Sequence, residues 1–204
     1  MKVFGLTGGI GMGKSTAEQW LRRRGVPAVD TDLLARQIVE PGMPALDEIQ
    51  RVFGNEFIDA AGRLRRRELS RRVFSNPAAR RQLEDITHPR IRELWRKQME
   101  LWRTQGRPLA VVVIPLLFET GAERELDATV CVACSAATQR RRLLDRGWIE
   151  AEIAQRNAAQ LPIDTKIARA GFVVWSEGGL EVFEAQLNRI FQLNDRMDRI
   201  HGIN

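Results

Sequence analysis

Six residues near the N-terminus have the types and spacing of a phosphate-handling site. From Gly8 to Ser15 the chain reads Gly8-Gly9-Ile10-Gly11-Met12-Gly13-Lys14-Ser15, the pattern G-x-x-x-x-G-K-S, followed by Thr16. Small glycines let backbone N–H groups turn inward around phosphate oxygens, where a larger side chain would block the approach. Lys14 is placed to reach the β- and γ-phosphates of a nucleoside triphosphate, and the Ser15 hydroxyl to ligate Mg²⁺. A second acidic pair, Asp30 and Asp32, is separated by Thr31 alone. One carboxylate there can orient or accept a hydroxyl proton while its neighbour takes another task, although either residue can instead cap the helix that starts near Leu33.

These groups work only if the chain between them places them together. Apolar runs at Val3 to Leu6, Val26 to Val29, Leu109 to Ile114, Thr129 to Ala133 and Phe172 to Trp175 alternate with helical patterns. That alternation predicts an α/β fold, a P-loop NTPase-like parallel sheet flanked by helices. The glycine loop follows the first strand and opens a helix whose dipole favours an anion, and Asp30 and Asp32 follow the second strand. The 33–104 block shows no strand pattern; it reads as a helical insertion that takes the second substrate, with Asn76-Pro77 opening one helix and a turn at His88-Pro89. The predicted organisation is a single domain over 1–204: core 1–32, 105–134 and 170–204, insertion 33–104, and a lid over 138–165. The lid segment carries Arg140, Arg141, Arg142, Arg146 and Arg156 with a break at Gly147, and Arg146 beside that break is the preferred phosphate-facing member. The last helix, Leu180 to Asp198, is predicted to bury Val182, Phe183, Leu187, Ile190 and Phe191.

Composition narrows the function. The 204 residues carry a formal charge of +6, nearly all of the positive charge being arginine. That balance suits a polyphosphate substrate as well as nucleic acid, and the arginines alternate with acids on helices such as Arg90 to Arg103. No eighteen-residue apolar run and no signal-peptide pattern is present, which predicts a cytoplasmic protein with no membrane partner. Cys131 and Cys134 form C-x-x-C inside a strand pattern and are read as core. The third strand ends in Ile114-Pro115 rather than an acid, and no Asn-Lys-x-Asp occurs, so motor ATPases and GTPases are disfavoured. A small-molecule kinase remains.

At this point the chain resembles the dephospho-CoA kinase family over nearly its full length. The resemblance rests on the loop through Thr16, on Asp30-x-Asp32-x-x-Ala35-Arg36, Phe53-Gly54, His88-Pro89, Pro115-Leu116-Leu117-Phe118-Glu119, Gln139-x-x-Arg142 and Gln160. It implies ATP-dependent phosphorylation of the 3′-hydroxyl of dephospho-CoA, the last step of coenzyme A biosynthesis, with ATP as donor and Mg²⁺ as cofactor. By the same resemblance Asp32 is the general base, the loop and Arg142 hold ATP, and Lys14 and Arg146 act on the transferring phosphoryl group. Asp30, Arg36, His88, Leu117, Phe118 and Glu119 fall on the acceptor side. A small-molecule substrate, no nucleic acid, and a monomer or weak homo-oligomer are expected. Two departures stand out: Met12 replaces a usually small loop residue, and Ala170-Gly171 and Ser176 replace Ala-Asp and Asn. No site is assigned to Gly171 or Ser176. The alternatives are a nucleoside or nucleotide kinase of similar architecture and, outside enzymes, an arginine-rich nucleic-acid module, against which the lack of Tyr and of a basic, aromatic stacking segment counts.

Overall fold

The computed structural model describes residues 1–192. Among them, strands β1 (Lys2–Gly8), β2 (Ala28–Asp30), β3 (Leu109–Val113), β4 (Ala128–Ala133) and β5 (Phe172–Trp175) form one five-stranded sheet in the order β2-β3-β1-β4-β5. The β1–β3, β1–β4 and β4–β5 pairings are parallel, with Leu6 opposite Val113 and Val130, and Thr7 opposite Cys131. After β1 the chain leaves for the β2 edge, returns to β3, then crosses to β4 and β5. The carboxyl end of β1 is therefore the point where the strand order reverses, which is where open α/β sheets bind ligands.

Among the described residues two compact units are present, one of Met1–Val29 and 102–192, the other Asp30–Leu101. In the first, helix α1 (Lys14–Arg23) buries Ala17, Trp20 and Leu21 against sheet residues Phe4, Leu6, Val111 and Val132, because positions 17, 20 and 21 share one helical face. Helix α9 (Leu180–Phe191) adds Phe183, Leu187 and Phe191, the last 5.0 Å from the Phe4 ring. Val182, expected in that core, is exposed. It lies five residues before Leu187, so at the ordinary helical twist it points about 140° away. The 193–198 part of the predicted helix, and His201, lie outside the described residues. Helices α6 (Ala136–Leu144), α7 (Glu150–Ala158) and α8 (Ile163–Arg169) lie between β4 and β5. Gly147, at φ 82°, turns the chain between α6 and α7. Cys131 and Cys134 are free and buried, as the strand pattern predicts; burial pushes the Cys131 thiol up to about 11, against the pull of the Lys166 and Lys14 charges.

The second unit contains α2 (Thr31–Gln37), α3 (Pro44–Phe53), α4 (Arg66–Phe74) and most of α5 (Pro77–Thr104), around Ile38, Leu46, Ile49, Leu69, Val73 and Ile86. Asn76 caps α5 by accepting the Ala78 and Ala79 N–H groups at 3.0 and 3.1 Å, with Pro77 in first position. The expected turn at His88-Pro89 is not there: α5 runs through Pro89. The helix survives the missing N–H because tertiary burial of Ile86, Trp95 and Met99 outweighs a local break. The block is also not wholly strand-free, since Ile58 and Leu64 form one antiparallel bridge around the Ala61-Gly62 turn. No helix among the described residues is long and apolar enough to cross a membrane.

Candidate active site

The loop after β1 is shaped by glycines that nothing else could replace. Gly8 has φ 143°, and a Cβ there would run into the Val132 carbonyl oxygen of the neighbouring strand. Gly13 is left-handed, at φ 102°, directly before the first residue of α1. No side chain caps α1 and no acid lies in its first turn, so its positive end is left for an anion. The Lys14 ammonium donates to the Gly8 and Gly9 carbonyls at 2.8 and 2.9 Å, which holds its charge over the loop. Ser15 and Thr16 are exposed at the helix start. Met12 folds inward: it is buried, and a Cβ on Gly9 would lie 2.7 Å from its sulfur. Its side chain packs closely against Gly9.

The loop is braced from distant parts of the sequence. Gln139 on α6 donates from Nε2 to the Ile10 carbonyl at 2.8 Å, and also to Asn157 Oδ1 on α7 at 3.2 Å. Ser176, just past β5, donates its hydroxyl to the Met12 carbonyl at 2.7 Å. Arg142 in turn donates Nη1 to Ser176 Oγ at 2.8 Å and Nη2 to the Ser176 carbonyl. Arg142, predicted to hold ATP, is thereby tied to the loop through Ser176, a residue to which sequence reasoning assigned no site. The available signal was a small polar residue directly after an apolar strand pattern at the ligand-binding end of the sheet. Arg146 is exposed on the turn between α6 and α7, beside Gly147 as expected.

The segment after β3 forms a second polar cluster in the same unit. Leu117 and Phe118, expected on the acceptor side, are 0% and 4% exposed. A Cβ on Gly5 would lie 3.2 Å from a Leu117 methyl, and the Arg169 guanidinium sits 4.7 Å above the Phe118 ring. These two apolar side chains anchor the segment from inside, because nothing polar in them rewards exposure. Glu119 meets the Lys166 ammonium at 2.9 Å and accepts the Leu161 N–H at 2.8 Å. Lys166 was missed altogether; its sequence context, Asp164-Thr165-Lys166-Ile167, reads as an ordinary helix surface.

In the helical unit, Asp30 caps α2: its Oδ1 accepts the Asp32 N–H at 2.8 Å. Asp32 lies in the first turn of α2 and is exposed. The two acids thus divide as a positioning cap and an outward carboxylate. Arg36 is exposed in the last turn of α2, its carbonyl accepting from Arg66 at 2.9 Å. His88 is half-buried inside α5; burial holds its imidazole below the usual value, against the pull of Glu84 and Asp85 and with help from Arg92.

Comparison with known proteins adds a family to this geometry. Residues 2–181 match the family model described as dephospho-CoA kinase. A curated dephospho-CoA kinase from Anaeromyxobacter dehalogenans is 50% identical over 191 residues, 93% of this chain and 90% of that protein. Among solved structures, a protein from Thermus thermophilus superposes with a TM-score of 0.82 at 37% identity, covering 94% of this chain and 96% of its own. A dephospho-CoA kinase from Campylobacter jejuni gives 0.70 at 25% identity, with the same coverage.

Proposed function

Since the chain belongs to the dephospho-CoA kinase family, we propose that the glycine loop and Lys14 hold ATP while Asp32 activates the 3′-hydroxyl of dephospho-CoA. The family's reaction moves the γ-phosphoryl group of ATP to that hydroxyl and yields coenzyme A and ADP, the last step of coenzyme A biosynthesis. The observation that carries the assignment is the loop itself: left-handed glycines at the carboxyl end of the central strand, an uncapped helix start, and an ammonium held above them.

In this reading the N–H groups of Gly9, Gly11, Met12 and Gly13 and the first turn of α1 hold the phosphates. Lys14 follows the charge that builds on the β–γ bridge as the bond to the γ-phosphorus breaks. The exposed Ser15 hydroxyl suits Mg²⁺. A cation held by one hydroxyl, water and phosphate oxygens needs no carboxylate cage, and no cluster of three acidic, His or Cys ligands occurs among the described residues. When bound, that ion supplies charge neutralisation at the phosphates. Asp32 takes the proton from the attacking 3′-oxygen as that oxygen bonds to phosphorus, with Asp30 fixing the turn beneath it. Arg146 closes over the transferring group and keeps water out, and Arg142 supports the nucleotide side through Ser176. Arg36, His88 and Glu119 serve the acceptor, with Leu117 and Phe118 as anchors of the Glu119 segment. The enzyme works in the cytoplasm on small molecules, as a monomer or weak homo-oligomer, with no nucleic-acid or membrane partner.

ADP formation measured with dephospho-CoA, AMP, other nucleosides and water tests this directly. A rate that depends on dephospho-CoA and exceeds the others is expected; an acceptor-independent rate would overturn it.

A further inference from the structure

Lys166, on α8, is completely buried. Its Nζ reaches Glu119 Oε1 at 2.9 Å, the Pro115 carbonyl at 2.7 Å and Gln160 Oε1 at 3.4 Å. An ammonium has three protons to donate, and here three acceptors surround it. Two of the partners lie in the segment after β3 and the third, Gln160, in the connection between α7 and α8. The Pro115 carbonyl also accepts the Thr7 hydroxyl at 3.2 Å, and Thr7 immediately precedes Gly8 of the phosphate loop. Glu119 also accepts the Leu161 N–H, in the connection that ends the α7 hairpin and begins α8. One buried cation therefore ties together the root of the phosphate loop, the segment after β3 and the foot of the arginine-bearing hairpin.

Stability is a poor reason for such a group. Taking the Lys166 ammonium out of water is costly even with a partly accessible carboxylate beside it, and well-packed apolar residues of similar volume are commonly as stable or more so. What an ion triad supplies and an apolar contact does not is direction: the Glu119 carboxylate and the Pro115 carbonyl are held at hydrogen-bond distance from a fixed point. The charge is also felt at the sheet. At the Cys131 thiol, opposite Thr7, the Lys166 and Lys14 charges both oppose the upward push of burial.

We propose that Lys166 is a positioning residue for phosphoryl transfer: its buried ammonium fixes Glu119 and the Pro115–Glu119 segment relative to the phosphate loop and anchors the α7–α8 connection to that segment. The proposal rests on the reading that Glu119 serves the acceptor. Lys166 touches no reacting atom; it acts through the groups it holds.

Two Lys166 variants separate positioning from structural support. Lys166→Met removes the cation and leaves Glu119 without its buried partner. In the double variant Lys166→Met with Glu119→Gln neither member of the pair is left as an unpartnered charge, so folding is retained even where the single variant fails. Steady-state kinetics with ATP and dephospho-CoA, ATP consumption with water alone, and Tm are measured for each. Under the proposal the double variant keeps a Tm near wild type, yet its kcat for dephospho-CoA falls at least tenfold below that of Glu119→Gln alone. Its KM for ATP stays within threefold, and a larger share of ATP is lost to water. Lys166→Arg, which keeps the charge, recovers part of the transfer rate. A double variant with the same kcat and the same partition between transfer and hydrolysis as Glu119→Gln alone overturns the proposal, because Lys166 would then only neutralise Glu119. The underlying reading is tested apart from it by Glu119→Ala: unchanged kcat and KM for dephospho-CoA there overturn the acceptor role of Glu119, whatever the Lys166 variants do.

Discussion

Around the phosphate loop the contacts that fix geometry are polar and come from far along the chain: Gln139 to Ile10, Ser176 to Met12, Arg142 to Ser176, Lys166 to Pro115. In the Asp30–Leu101 unit the interior is aliphatic, with Ile38, Leu46, Ile49, Leu69 and Val73 packed together and the charged pairs, such as Arg63–Asp59 and Arg66–Glu40, left at the surface. Buried hydrogen bonds set positions closely while adding only about 1 kcal/mol each in net stability. Aliphatic packing supplies stability and tolerates exchange of similar volumes. The loop region is therefore built for placement and the helical unit for holding its own shape, so substitutions in the first should separate rate from stability and those in the second should not.

The largest effect should come from the residue that breaks this division. Asp32 belongs to the helical unit, yet it is exposed and sits in no core. Asp32→Asn is expected to lower kcat by about a hundred- to ten-thousandfold, the range for a general base, with Tm and ATP affinity nearly unchanged. Calorimetry and stopped-time ADP assays on the same preparation check both halves. Ile49→Ala should do the reverse. It deletes a fully buried side chain from the aliphatic cluster and should reduce stability by about 2–5 kcal/mol in urea titrations. At low temperature, where the variant remains folded, kcat should stay within a few-fold of wild type.

Ser176→Ala sharpens the loop side. It removes the hydroxyl shared by Met12 and Arg142 and should raise KM for ATP about tenfold, at a stability cost of about 1–3 kcal/mol. Loss of stability with no change in ATP affinity would place Ser176 among the merely structural contacts. The smallest effect is one of pH. Burial lowers the folded-state pKa of His88, so above the unfolded value near 6.5 the imidazole is neutral in both states. As pH falls through 6.5 towards the folded pKa, the unfolded chain takes up a proton that the folded chain does not, and stability drops. His88→Gln should therefore lose less Tm than wild type between pH 7.5 and pH 5.5.

The glycine loop was legible because its signal is local. Glycine spacing, the preceding apolar run and Lys14-Ser15 all fall within sixteen residues, and the left-handed angles at Gly11 and Gly13 follow from the residue types. The strands were legible for the same reason, each being a short apolar run, with boundaries moved by a residue or two. What escaped was long-range. Ser176 lies 164 residues from its Met12 partner, and Lys166 lies 51 from Pro115. No local pattern separates a lysine turned inward from one on a wet helix face. Pro89 misled in the opposite direction: proline is a strong local stop signal, but burial along a 28-residue helix overrode it. Val182 shows the limit of counting apolar residues, since only the helical angle decides which of them face inward.

The buried thiol of Cys131 gives this molecule an internal timer. Alkylating reagents attack the thiolate, and a group pushed up to about 11 and fully covered offers almost none at neutral pH. Any modification of Cys131 must then await an opening that uncovers its face of β4, opposite Thr7, the last residue before the glycine loop. The labelling rate consequently counts breathing of the central sheet, and a nucleotide that closes the loop should slow the count without touching the sulfur.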